Sequence, residues 1–164
     1  MKCALFLVLV SGLGTLTALA QTSRATNLLV NVSPQCAVTL VSLSPGIAGP
    51  PGQTATQTLS FTYKVRTATS GGHGQIVLGF TAPSKNFPNG SKVDYQTTLN
   101  GPGTPASGSV PTTNAVSAGI VVATFGTQAS SSKAGALGTV RYTVNPPPSS
   151  SFGPLNPGLS MSCQ

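Results

Sequence analysis

The residues able to do chemistry are few. Asp94 is the only acidic side chain among 164 residues, and His73 the only histidine. A glycosidase pair of carboxylates needs two acids, and hard-cation sites gather several. Zinc takes three or four side-chain ligands, which this composition can hardly supply. A Ser-His-Asp arrangement would have to recruit His73 and Asp94 themselves. His73 lies in Gly71-Gly72-His73-Gly74, a tight connection in which a solvated ring is the simplest state. No glycine cluster precedes a helix in the way a phosphate cradle requires, and no Gly-x-Ser-x-Gly elbow has a strand-turn-helix setting. The expectation is a protein that is not an enzyme, with no catalytic residue, no cofactor and no metal ligand.

The cations outnumber that acid. Eight lysines and arginines give a formal charge of +7. Lys64, Arg66 and Arg141 fall on the outward parity of two strands, with Lys85 and Lys92 in a nearby segment. Such a basic face suits an acidic polysaccharide, while the plainer reading is solubility and rim charge. Nucleic-acid modules interleave exposed aromatics with their cations. Here Phe61, Tyr63 and Tyr142 take the inward parity, so nucleic acid is not the expected partner.

The elements that position these residues are strands. In Thr58-Leu59-Ser60-Phe61-Thr62-Tyr63-Lys64-Val65-Arg66-Thr67, apolar residues share one parity and polar residues the other. A strand turns successive side chains to opposite faces, so this run has one dry face and one wet face. Only 5% of residues are charged, and 19 glycines and 14 prolines punctuate the chain. Many short strands between turn signals read as an all-β, antiparallel, immunoglobulin-like β-sandwich of about seven or eight strands. The expected strands include 36–43, 55–68, 75–80, 92–99, 115–125, 139–144 and 159–163. Residues 55–68 and 75–80 are expected to form a hairpin across Thr69 to Gly74. Segments 100–114 and 126–138 read as exposed loops, where binding commonly sits.

Met1-Lys2 leads into an apolar run ending Ala18-Leu19-Ala20, the pattern of a secretory signal peptide. The expected organisation is a signal over residues 1–20 and one sandwich domain over 21–164. The expected location is secreted, periplasmic or at the cell surface, with no membrane span in the mature chain. Two cysteines then remain, Cys36 and Cys163. An even count in an exported chain reads as one disulfide, here joining inward positions of two terminal strands.

The stretch Asn27-Leu28-Leu29-Val30-Asn31-Val32-Ser33-Pro34-Gln35-Cys36-Ala37-Val38 resembles the start of bacterial secreted β-sandwich subunits, the chaperone–usher pilins and their spore-coat-U-like relatives. That resemblance implies an immunoglobulin-like sandwich completed by a neighbour's N-terminal segment, with Leu28, Val30 and Val32 at the donor positions. The chain departs from the pattern in pairing Cys36 with a cysteine near its last residue and in lacking a C-terminal aromatic signature. The functional expectation is an exported structural or adhesive surface protein. The alternatives are a polymerising subunit that donates residues 27–32, and a carbohydrate-binding module.

Overall fold

The computed structural model describes residues 33–44, 50–81, 87–151 and 156–164. Residues 1–20, the donor positions Leu28, Val30 and Val32, and Lys85 lie outside the described residues. Among the described residues, nine strands and one short helix follow in chain order. They are β1 (Gln35–Leu43), β2 (Ala55–Arg66), β3 (Gly74–Thr81), β4 (Lys92–Asn100), β5 (Thr104–Pro105), β6 (Ser107–Pro111), α1 (Thr112–Ser117), β7 (Ile120–Phe125), β8 (Ala136–Asn145) and β9 (Asn156–Cys163). All pairings are antiparallel, in a five-stranded sheet β1-β2-β8-β4-β6 and a four-stranded sheet β5-β7-β3-β9.

The alternation in β2 does what its parity requires. Leu59, Phe61, Tyr63 and Val65 are buried, and Lys64 and Arg66 are exposed. Val140, Tyr142 and Val144 of β8 and Val93 of β4 join the same face. Ile76, Leu78 and Phe80 of β3 and Val122 and Phe125 of β7 supply the opposing face. Rings meet between the sheets: Tyr63 lies 5.5 Å from Phe125, and Phe80 stands edge-on to Tyr142 at 5.4 Å. This is sandwich packing, with the inward positions of both sheets forming one core.

Two details decide how the core closes. Gly138, on the inward face of β8, lies opposite Phe61, and a Cβ there would sit 2.4 Å from the Phe61 ring. The missing side chain is the space the ring fills. Among the described residues, Gln57 is the one long polar side chain in the core, 1% exposed. Its amide Nε2 donates to the Ser44 carbonyl at 2.7 Å, and its Oε1 accepts from the Tyr142 hydroxyl. Both ends are satisfied, which a buried amide requires.

Three expectations need correction. Residues 55–68 and 75–80 are not a hairpin, because β2 and β3 belong to different sheets. Alternation shows that each strand has one dry face; a chain that arches over the core satisfies that as well as one that folds back in plane. Residues 115–125 are not one strand: α1 ends at Ser117, Gly119 turns with φ +75°, and β7 starts at Ile120. Ala115 and Val116 belong to the helix, with Ala115 buried, and the apolar residues from Ile120 to Phe125 belong to β7. Segment 100–114 is mostly exposed but is no simple loop. It carries β5, β6 and the start of α1, which brings the strand count to nine.

Gly138→Ala is expected to lower stability by about 1–3 kcal/mol through overpacking against Phe61, read from the midpoint of urea unfolding. A second test uses alkali. Burial pushes the Tyr142 phenol well above its ordinary 10.0, and Tyr63 moves in the same direction for the same reason. Above pH 10 the unfolded chain loses tyrosine protons that the folded chain keeps, so the unfolded state binds fewer protons. Stability contributed by these phenols is complete below pH 10 and falls as pH rises beyond it, which unfolding curves at successive alkaline pH values will show.

Candidate functional site

The sequence's chemical candidates do not converge. His73 is exposed on the arch before β3, its Nδ1 3.2 Å from the Gly71 carbonyl, and its backbone exchanges two hydrogen bonds with Gln164. Asp94 sits on the outer face of β4 in the other sheet, where it accepts from the Asn145 amide. Among the described residues, no three His, Cys, Asp or Glu side chains group as metal ligands. No helix among them is long and apolar enough to cross a membrane. Asn89-Gly90 is a turn closed by Ser91 N–H donating to the Pro88 carbonyl at 3.1 Å, with Gly90 at φ +85°.

Two surfaces do gather residues. The first is the edge shared by β1 and β9. Cys36 of β1 and Cys163 of β9 are disulfide-bonded, with Cα atoms 6.2 Å apart. Among the described residues β1 pairs only with β2, and β9 only with β3. Beyond the disulfide the inward faces are poorly covered. Leu40 opposes Phe61 and Leu43 opposes Leu59, yet each leucine is 41% exposed while its partner is fully buried. The register shifts between Leu40 and Ser42, and Val41 in that bulge is 59% exposed. On β9, Pro157, Leu159 and Met161 continue the face of Phe80, Leu78 and Ile76 and are only half-buried. The dry face of each sheet therefore runs one strand further than its cover.

The opposite edge is built differently. Ala106, between β5 and β6, donates to the Val122 carbonyl in one sheet, and its own carbonyl accepts from Thr97 N–H in the other. Backbone crosses from sheet to sheet there. At β1 and β9 a disulfide makes the connection.

The second surface is a basic pocket of about 400 Å³ lined by Gln35, Lys64, Val65, Arg66, Ser130, Ser131, Ser132 and Lys133. Its shape follows from a shortage of partner strand. The β8 ladder to β2 stops at the pair Tyr63–Ala136, leaving the last residues of β2 with an unpaired edge. Segment 126–135 fills it. Ser131 N–H donates to the Val65 carbonyl at 3.0 Å, and Ser131 Oγ accepts from Val65 N–H at 3.1 Å. Thr67 N–H donates to the Ala129 carbonyl, and Thr67 Oγ1 both accepts from Ala129 N–H and donates to the Gly126 carbonyl. A turn closed between Ser132 and Gly135, with Gly135 at φ +92°, then presents Lys133 at its tip.

The expected basic face thus divides. Lys64 and Arg66 share the pocket, while Arg141 opposes Thr58, six residues along β2 from Lys64. At the rise of a strand that is about 20 Å. Lys133 takes the third position. Reading by strand parity passed over it because it belongs to a loop whose path depends on hydrogen bonds to a distant strand.

No protein-family model matches this chain, and no curated protein or solved structure is significantly similar to it.

Replacing Cys36 and Cys163 by serine is expected to cost about 4–5 kcal/mol, since the bridge closes a loop of 127 residues. Hydrogen exchange on this variant will show β1 and β9 losing protection before β2 and β8, because the edge strands have one ladder each.

Proposed function

We propose that this chain is an exported, non-enzymatic structural subunit that assembles by strand addition along the β1/β9 edge. The added strand is residues 27–32 of a neighbouring copy. The observation behind the proposal is the apolar strip of Leu40, Val41 and Leu43, with Leu159 and Met161 half-covered beside it, on two strands that each have one ladder. An added strand supplies main-chain hydrogen bonds to such an edge and alternate side chains to its apolar face. Leu28, Val30 and Val32 share one parity at the spacing such a face accepts.

β1 starts and β9 ends at the bridge, so a strand seated between them is antiparallel to one and parallel to the other.

The test compares protein beginning at Gln21 with protein beginning at Ser33, by size-exclusion chromatography with light scattering. The longer form is expected to polymerise. The shorter form is expected to stay monomeric and to bind a synthetic 21–32 peptide at one to one. A monomeric longer form would overturn the reading. Leu40→Lys in the longer form is expected to shorten the polymers by placing an unpaired charge in the apolar strip.

A further inference from the structure

We infer that the pocket between the end of β2 and segment 126–135 is a binding site for an acidic saccharide, a sugar chain bearing carboxylate or sulfate groups. This inference is independent of assembly at the β1/β9 edge.

The pocket holds three cations, Lys64, Arg66 and Lys133, and no acidic side chain. Among the described residues none of the three makes an ion pair, and Asp94, on the outer face of β4, is engaged by Asn145. The whole chain has one acid. Neither its own segments nor a second copy carries the acidic side chains to match a three-cation pocket, and a polyanionic ligand does.

The lining indicates which kind. Nucleic-acid grooves that follow a single strand use aromatic side chains as stacking platforms, and no aromatic residue lines this pocket. The remaining wall is Gln35, Ser130, Ser131 and Ser132, a set of amide and hydroxyl groups suited to sugar hydroxyls. Ser131 Oγ is occupied by Val65 N–H, and Ser132 Oγ donates to the Gly135 carbonyl. Gln35 and Ser130 are both exposed and are left for a ligand. Arg66 offers a planar fork that meets a carboxylate or sulfate through two hydrogen bonds, and the lysines add point charges.

The site is also rigid where it matters. Ser130 bridges Arg66 in register, and the hydrogen bonds of Ala129 and Ser131 fix the segment to β2 on both sides of it. Gly135 lies against the Lys64 stem, where an added Cβ would come within 3.3 Å of Lys64 Cγ. The cations are thus held on a preformed wall, which lowers the ordering cost of binding.

The test is isothermal titration of the exported protein with four probes: a polygalacturonate hexamer, a heparin-derived hexasaccharide, a single-stranded oligothymidylate, and vesicles of anionic phospholipid. Binding of the first or second is expected, and which one binds separates carboxylate from sulfate. Lys133→Gln and Arg66→Gln are each expected to weaken that binding about tenfold, from loss of a charge-assisted hydrogen bond. Arg141→Gln is expected to leave it within about twofold, its charge lying outside the pocket and screened. Lys133 is exposed at a turn tip, so its variant tests binding without testing the fold. Equal weakening by Arg141→Gln would mean general surface charge and overturn the inference. So would binding to neither saccharide, or binding to the oligothymidylate or the vesicles in preference to both.

Discussion

Two sheets with no ladder between them among the described residues stay together through their core and their edges, and this sandwich closes its edges by unequal means. On one side the chain crosses at Ala106, so backbone ladders run into both layers. On the other, Cys36 and Cys163 are the direct link between β1 and β9. A disulfide fixes one point, whereas a ladder fixes a line. Away from that point the inward residues of β1 are left half in solvent, and Leu40 and Leu43 are the result. The bridge thus ties this edge at one end and leaves its apolar strip partly exposed.

The core tolerates this because its centre is well packed elsewhere. Phe61 fills the space above Gly138, Tyr63 meets Phe125, and Phe80 meets Tyr142. Tyr142 and Gln57 satisfy each other where a lone polar group would be costly to bury. Gln57 in turn ties Ser44, just past the end of β1, to β2, and Thr58 pairs with Ser44 in both directions. The edge strand is thus anchored by the disulfide at its start and by hydrogen bonds at its end, with the exposed leucines between.

How much of this was legible in the sequence depended on the range of the interaction that settled it. Parity is local, so the buried face of β2, the inward set of β8 and the outward Lys64, Arg66 and Arg141 could be read directly. The Cys36–Cys163 pair was legible by elimination, since setting aside the expected signal over residues 1–20 leaves two cysteines. Which sheet β3 joins was not legible, because an arch and a hairpin place identical demands on alternation. The helix at Thr112–Ser117 was hidden because Ala115 and Val116 merged with the apolar run of β7. The basic pocket was half legible. Its strand residues follow from parity, but Lys133 reaches them only through Ser131 and Thr67, contacts 66 and 62 residues apart in sequence.

Charge scarcity links the two surfaces. A chain with a single carboxylate cannot organise itself through ion pairs, so its self-contacts must be made by backbone hydrogen bonds and apolar side chains. The β1/β9 edge provides both. By the same scarcity the three cations of the pocket have no acidic side chain beside them among the described residues. An assembly joined by strands and decorated with repeated weak anion sites would bind a polyanion through many sites at once, and avidity would then exceed the affinity of any one pocket.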